Sequence, residues 1–124
     1  MAKKILIVED DMVLQNALKE YFTRDEFEII CASDGEEGLQ MVSDNNPDLV
    51  LLDIVLPKKD GYEVLREVKS NEKTKHIPVV LLTNLGSVLD VQKALDLGAT
   101  TYLVKADYKL EEIDAKIKEI LNMK

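Results

Sequence analysis

The stretch DLVLLDIVLP, residues 48–57, decides the fold because a short aliphatic run ends directly in an acidic residue. Four consecutive aliphatic residues at positions 49–52 are typical of a strand that is buried on both faces of a parallel sheet. Asp53 follows at once, where an ionised carboxylate is costly unless a charged or hydrogen-bonding group meets it. The sequence therefore predicts a central strand whose carboxyl end opens on a polar site.

Four further apolar runs predict the rest of a sheet, at residues 5–8, 27–31, 79–82 and 101–104. Longer segments with helical spacing separate or follow them. Their apolar residues are Leu14, Ala17, Leu18, Tyr21 and Phe22, then Leu39 and Val42, then Val64, Leu65 and Val68, then Val88, Val91, Ala94 and Leu95, and finally Leu110, Ile113, Ile117, Ile120 and Leu121. Five strands that alternate with five helices predict a three-layer α/β domain, a doubly wound parallel sheet covered by helices on both faces.

Composition bounds the class of protein. A chain of 124 residues with 46% hydrophobic and 32% charged residues is predicted to form one soluble globular domain, residues 1–124. Its formal net charge of -8 argues against direct contact with nucleic acid. The first apolar run is too short for a signal peptide or a membrane span. The single cysteine, Cys31, favours a reducing, cytoplasmic setting and a buried, inert thiol.

Polar side chains follow four of the five predicted strands. In a doubly wound sheet the ligand crevice lies beyond the carboxyl ends of the strands, so these residues are expected to converge. They are Glu9 and Asp10 after the first strand, Asp53 after the third, Thr83 and Asn84 after the fourth, and Lys105 after the fifth.

The chemistry of this set points to phosphoryl transfer. Two carboxylates ~4 Å apart repel by about 4 kcal/mol at an effective dielectric constant of ~20, so three acids together favour a bound divalent cation. A small cation that prefers oxygen ligands and bridges carboxylate to phosphate is Mg2+. With the cation bound, Asp53 can attack phosphorus, while Lys105 and the Thr83 hydroxyl can hold phosphoryl oxygens. The sequence therefore predicts that Asp53 is phosphorylated.

The motifs ILIVEDD (5–11), LLDIVLPKKDG (51–61), LLT (81–83) and YLVK (102–105) resemble those of the receiver domains of response regulators, the CheY-like superfamily of two-component signalling. The similarity spans the whole chain. The resemblance implies a flavodoxin-like sheet with strand order 2-1-3-4-5, and transfer of a phosphoryl group from a histidine kinase or phosphotransfer protein to Asp53. It implies a signalling module rather than a turnover enzyme.

The resemblance also implies a set of Mg2+ ligands. Asp10, Asp53 and the backbone carbonyl of Val55 would bind the cation, and Glu9 would act through water. Three consecutive acids could supply the first pair. Matching the first helix to the family pattern gives Glu9 and Asp10 the metal positions and leaves Asp11 as the cap of that helix.

The remaining site residues implied by the resemblance contact the phosphoryl group or transmit its presence. Thr83, Lys105 and the backbone N–H of Asn84 would hold phosphoryl oxygens. Thr83 and Tyr102 would act as switch residues; the alternative for Tyr102 is a fixed core aromatic. The signal would reach an unknown output protein or output domain through the face of the fourth helix, fifth strand and fifth helix. The chain would be a monomer or a phosphorylation-dependent dimer.

The chain departs from the family pattern at Ala106 and at Asn84, whose side chain stands where the family usually has a small residue and would narrow the pocket. Many receivers have a proline after the lysine, joined by a cis peptide; here the residue is Ala106, and the Lys105–Ala106 peptide is expected to be trans or strained. Val55 and Leu85 lie two residues after Asp53 and Thr83, beside the path of the water that attacks the phosphoryl group. Because aliphatic side chains cannot orient water, we expect slow loss of phosphate.

Other functions are possible on this architecture. A phosphatase of the haloacid dehalogenase type also uses an aspartyl phosphate, Mg2+, a hydroxyl and a lysine, but it needs a second acid where this chain has Val55. A nucleotide or flavin binder lacks its glycine-rich motif here. A receiver scaffold without active switching remains an alternative. Leu85 and Leu89 add apolar surface to the fourth helix, which fits a partner patch or scattered surface leucines about equally.

Overall fold

In the part of the chain that the structure describes, five strands alternate with five α-helices, as the sequence predicts. The computed structural model describes residues 2–24, 27–84 and 88–122, apart from the side chains at 88 and 89. The elements are β1 (Lys4–Val8), α1 (Met12–Arg24), β2 (Glu28–Ala32), α2 (Gly35–Asn45), β3 (Leu49–Leu52), α3 (Gly61–Ser70), β4 (Val79–Thr83), α4 (Val88–Asp96), β5 (Thr101–Val104), a short 3-10 helix (Lys105–Asp107) and α5 (Leu110–Ile120). The roles expected for Leu85, Val88 and Leu89 concern side chains outside the described part of the chain.

The strands form one parallel sheet in the order β2-β1-β3-β4-β5, which confirms the expected topology. Strand order reverses between β1 and β3, because the chain first adds β2 on one side and then β3 to β5 on the other. In the β1–β3 register, Val8 is the partner of Leu52. Glu9 and Asp53, which follow these residues, therefore leave the sheet side by side.

The core consists of two apolar clusters, one on each face of the sheet. Successive residues of a strand point to opposite faces. In β3, Leu49 and Leu51 pack with α1 and α5 around Phe22 and Ile117, whereas Val50 and Leu52 belong to the cluster under α2, α3 and α4. All four β3 residues are at most 2% exposed. β3 is thus the central, doubly covered strand that its aliphatic run predicts.

Aspartates begin three of the helices. The Asp11 Oδ1 accepts hydrogen bonds from the backbone N–H groups of Val13 (3.0 Å) and Leu14 (3.3 Å), which confirms its role as the cap of α1. The side chains of Asp34 and Asp60 cap α2 and α3 in the same way. These caps fix where each loop at the carboxyl edge of the sheet enters its helix.

The prediction that Leu95 belongs to the apolar stripe of α4 is wrong. In the structure 47% of the surface of Leu95 is exposed, and Leu97 packs against the core instead. The helix ends at Asp96, and Gly98 adopts a left-handed conformation with φ +100°. This turn, closed by the hydrogen bond from Ala99 N–H to the Ala94 carbonyl, directs the chain back to the sheet and brings in Leu97 rather than Leu95.

Cys31 is half-buried rather than buried. It lies in β2, an edge strand of the sheet, where fewer neighbours cover the side chains. Burial nevertheless raises the pKa of the thiol, and the charge of Lys19 opposes that shift only in part. A raised pKa keeps the thiol protonated and unreactive at neutral pH, as the sequence predicts.

Within the described ranges, no helix is both long and apolar enough to cross a membrane.

Gly61, the first residue of α3, lies against the backbone that carries Asp53. A Cβ atom at this position would overlap the carbonyl of Asp53 and the Cα of Ile54. We expect Gly61→Ala to lower the free energy of unfolding by about 1–3 kcal/mol, because rigid backbone must move to make room. Urea unfolding monitored by circular dichroism measures this change.

The control is Arg66→Ala, a substitution at an exposed position of the same helix, which is expected to stay within about 0.5 kcal/mol of the wild type. Equal stability of the two variants would contradict the packing argument.

Candidate functional site

Three carboxylates converge at the carboxyl edge of the sheet. Oxygen atoms of Glu9, Asp10 and Asp53 all lie within 4.8 Å of one another. Glu9 is only 3% and Asp53 only 7% exposed, whereas Asp10 is exposed. The pairing of β1 with β3 brings them together, and the hydrogen bond from Asp53 N–H to the Val8 carbonyl extends that pairing by one residue. A set of clustered carboxylate oxygens is the donor chemistry that Mg2+ prefers, so the residues fit this cation.

Lys105 joins the two buried acids. Its Nζ lies 2.7 Å from Glu9 Oε1 and 3.3 Å from Asp53 Oδ2. The other oxygen of each acid accepts a backbone hydrogen bond, from Asp11 N–H to Glu9 Oε2 (3.1 Å) and from Ile54 N–H to Asp53 Oδ1 (2.8 Å). Both carboxylates are therefore held in fixed orientations by one backbone donor and one shared ammonium.

The loop after β5 presents Lys105 to the acids without a cis peptide. No cis bond occurs in the described part of the chain, so the Lys105–Ala106 peptide is trans, as expected for a residue other than proline. The chain enters the 3-10 helix Lys105–Asp107 directly after β5. The lysine thus reaches the site from the end of a strand, like the acids.

The charges of the site shift the pKa values of its neighbouring groups. Burial raises the pKa of Glu9, and the Asp53 charge adds to the shift, while the hydrogen bonds from Lys105 and Asp11 oppose it. For Lys105, burial alone would lower the pKa, but the hydrogen bond to Glu9 and the charge of Asp53 outweigh it and raise the pKa. One ammonium against three carboxylates leaves excess negative charge, which attracts a cation.

Thr83 and Asn84 lie at the same edge. Thr83 ends β4 and is fully buried; its register partner is Val104, the residue before Lys105. Asn84 follows and is exposed. The structure brings both residues to the strand ends that carry Asp53 and Lys105. Their contact with a phosphoryl group, like the role of the Val55 carbonyl as a metal ligand, stays a prediction.

Tyr102 sits in β5 beside a polar contact that links α3 to α4. Tyr102 is half-buried and packs against the cluster under α2, α3 and α4. Burial raises the pKa of its hydroxyl, with added effects from the charges of Asp90 and Asp53. Nearby, the hydroxyl of Tyr62 lies 3.3 Å from Asp90 Oδ1, and Lys93 Nζ lies 4.2 Å from the centre of the Tyr62 ring. The expected switch residue is thus adjacent to the group that ties the two helices together.

Two residues of the site region were not identified from the sequence. Gln15 is 5% exposed, and its Nε2 donates to the carbonyls of Glu9 and Ala32. Gln15 lies three residues before Leu18 and therefore on the inner, apolar face of α1. A polar residue on that face is a sequence signal for a buried side chain with hydrogen-bond partners. Tyr62 could have been noticed as the aromatic residue beside the aliphatic stripe of the third helix.

Comparison with known proteins identifies the family. A model of the response regulator receiver domain matches residues 5–118, which is most of the chain. The chain belongs to this family. The receiver is 42% identical over 118 residues to the transcriptional regulatory protein CpxR of Klebsiella pneumoniae, an alignment that covers 95% of this chain and 49% of CpxR. The receiver spans about half the length of the curated relatives that it matches.

Solved structures agree with this assignment. A CheY-like receiver domain protein from Methanospirillum hungatei superimposes with a TM-score of 0.91 at 28% identity, covering 98% of this chain and 95% of that chain. The CheX–CheY–BeF3–Mg2+ complex from Borrelia burgdorferi contains a chain that matches with a TM-score of 0.87 at 30% identity, covering 95% and 88%. The chain is therefore a receiver domain of two-component signalling, as its motifs indicate.

The Tyr62–Asp90 contact predicts a change of stability at high pH. Burial and the Asp90 charge raise the pKa of Tyr62 from 10.0 to about 12. The folded state thus retains a proton that the unfolded chain releases near pH ~10, so the contribution of Tyr62 is complete below that pH and declines as the pH rises towards ~12. We expect Tyr62→Phe to show a smaller loss of unfolding free energy than the wild type between pH ~10 and ~12.

Urea titrations at several pH values measure this loss. Tyr21→Phe is the control, since Tyr21 lies in α1 and packs against Phe22; this variant should decline like the wild type. A Tyr62→Phe protein with the full decline of the wild type would contradict the assigned pKa.

Proposed function

We propose that the chain is the phosphoacceptor switch of a two-component phosphorelay and that Asp53 receives the phosphoryl group from a histidine kinase or a phosphotransfer protein. The observation that carries this proposal is the convergence of Asp53 with Glu9, Asp10 and Lys105 at the point where strand order reverses. The family supports a signalling role rather than that of a turnover enzyme.

The acidic cluster would hold Mg2+. Asp10, Asp53 and the Val55 carbonyl would be its ligands, and Glu9 would act through water. When bound, the cation would offset the negative charge of the carboxylates and of the incoming phosphoryl oxygens. The Borrelia burgdorferi complex that contains a similar chain also contains Mg2+, which supports this choice.

The side chains of the receiver divide the work of transfer. An Asp53 carboxylate oxygen forms a bond to phosphorus while the bond from phosphorus to the donor's imidazole nitrogen breaks, and that bond's electron pair stays on the nitrogen. The Lys105 ammonium, already 3.3 Å from Asp53 Oδ2, holds a phosphoryl oxygen. The Thr83 hydroxyl and the Asn84 N–H donate to the others.

Phosphorylation would then shift the receiver between two arrangements. It replaces the single negative charge of the Asp53 carboxylate with an acyl phosphate that carries about -2, a net gain of about one negative charge, which draws Lys105 and Thr83 towards the phosphoryl group. Tyr102, three residues before Lys105 in β5, would change its rotamer, and the α4-β5-α5 face would change its affinity for an output protein or output domain. We propose a cytoplasmic monomer or a dimer that forms on phosphorylation, without direct contact of this segment with nucleic acid or membrane.

Incubation with acetyl phosphate and Mg2+ tests the phosphoacceptor. Intact-protein mass spectrometry should detect the gain of a single phosphoryl group, and Asp53→Asn should abolish it, because an amide oxygen is a poor nucleophile. Asp48→Asn is the matched control: it makes the same change at the exposed, opposite end of β3 and should leave labelling intact.

The same assay separates the alternatives. Labelling that survives Asp53→Asn, or a wild-type chain that takes up no phosphate, would refute the proposal; the second result is also the one expected of a non-switching scaffold. Repeated turnover of small phosphate esters would favour a phosphatase of the haloacid dehalogenase type.

Asp10→Asn should lose Mg2+-dependent labelling, whereas Asp11→Asn should keep it, since asparagine also caps a helix.

The lifetime of the phosphorylated form depends on Val55. This side chain is 63% exposed at the rim of the site and offers no hydrogen bond to water. We expect Val55→Asn to shorten the half-life of the phosphorylated receiver about threefold or more, because an amide can orient the attacking water. Loss of the label after removal of the donor, followed by mass spectrometry, gives the half-life.

Val13→Asn is the control, since it makes the same substitution at a valine that is 82% exposed in α1. It should leave the half-life unchanged. An unchanged half-life in Val55→Asn would contradict the expected role of this position.

A further inference from the structure

Gln15 is a buried amide that joins α1 to the strand ends of the acidic site. Its Nε2 donates to the Glu9 carbonyl at 2.9 Å and to the Ala32 carbonyl at 3.1 Å. The side-chain NH2 group of glutamine carries two N–H donors, one for each of these carbonyls. The side chain is 5% exposed, so water does not readily replace these hydrogen bonds.

These bonds close a network around the backbone of Glu9. The Glu9 N–H donates to the Ala32 carbonyl at 3.0 Å, so β2 holds this residue through its amide. Gln15 holds the same residue through its carbonyl and accordingly fixes the peptide that leads to Asp10. The carboxylates of Glu9 and Asp10 extend from this fixed segment towards Asp53.

We propose that Gln15 is a positioning residue for the cation site: its buried amide fixes the Glu9–Asp10 segment in the orientation that completes the cluster with Asp53. This inference rests on the proposed Mg2+ site. Gln15 acts only through the backbone and is not assigned a contact with the cation or with the phosphoryl group.

The role is specific to one half of the cluster. Asp53 is fixed independently, by its N–H bond to the Val8 carbonyl and by the Ile54 N–H bond to its Oδ1. Loss of the Gln15 amide would leave the Glu9 carbonyl without the donor described here, and the peptide would rotate to find another. Glu9 and Asp10 would then move relative to a stationary Asp53, which weakens a site that needs all three acids.

Gln15→Met tests the inference, because methionine has a similar length but no N–H donor. Cation affinity is measured by isothermal titration with MgCl2 and by the electron paramagnetic resonance signal of free Mn2+, with no phosphoryl donor present. We expect the dissociation constant to rise about tenfold, as is typical when a group that orients metal ligands is removed.

The matched control is Thr74→Val. Thr74 is 6% exposed and donates a buried 2.7 Å hydrogen bond to the Val68 carbonyl, before β4 and at the opposite edge of the sheet. Its loss costs stability without touching the acidic cluster, so its dissociation constant should stay within about twofold of the wild type. A general effect of destabilisation would weaken both variants alike.

The outcomes separate this inference from the proposed function. If the wild type binds neither Mg2+ nor Mn2+, both the cation site and the role of Gln15 are overturned. If the wild type binds and Gln15→Met weakens binding no more than Thr74→Val, the role of Gln15 alone is overturned. Should Gln15→Met fail to fold, Gln15→Asn decides, since it keeps the amide but shortens the side chain by one methylene; it too must weaken binding more than Thr74→Val does.

Discussion

The parallel pairing of β1 with β3 places Glu9 and Asp53 side by side, and every other feature of the site follows from the need to accommodate their charges. Two carboxylates at this distance repel, and burial makes the repulsion stronger. Lys105 meets one oxygen of each acid, and a backbone N–H meets the other. Bringing the acids together therefore costs free energy, and their carboxylates are held in fixed orientations. Both properties suit a site that binds a cation and accepts a phosphoryl group.

The apolar core makes this arrangement possible. β3 contributes four almost completely buried aliphatic side chains, two to each layer. Complete burial of one such side chain stabilises the fold by about 1.5–3 kcal/mol relative to its exposure, so this strand anchors the edge of the sheet at which the acids converge. The aliphatic residues of β3 thus stabilise the fold, and Asp53, which directly follows the strand, is positioned by it for phosphoryl transfer.

Sequence reasoning identified the polar side chains that follow the strands. The alternation of apolar runs with helical stripes predicts a parallel sheet, in which these side chains all lie at the carboxyl edge. Glu9, Asp10, Asp53 and Lys105 converge as predicted, and Asp11 caps α1. Gln15 was missed because its partners are backbone carbonyls that come together only in the folded sheet. The sequence also failed to predict that Leu97, rather than Leu95, packs against the core. The end of a helix, and hence the direction of the residues after it, depends on turn geometry that periodicity does not encode.

β5 offers a physical route from the acidic cluster to the α4 surface. Lys105 directly follows β5 and contacts Glu9 and Asp53. Tyr102 lies three residues earlier in the strand, where burial and then the charges of Asp90 and Asp53 raise the pKa of the tyrosine hydroxyl. Asp90 in turn accepts the hydrogen bond that ties Tyr62 of α3 to α4. More negative charge at Asp53 would pull on Lys105 at one end of the strand and change the electrostatic environment of Tyr102 further along it. Tyr62 and Tyr102 both lie within the influence of Asp90. The rotamer change proposed for Tyr102 would therefore alter the contact between α3 and α4, and the proposed α4-β5-α5 face would transmit that change to an output partner.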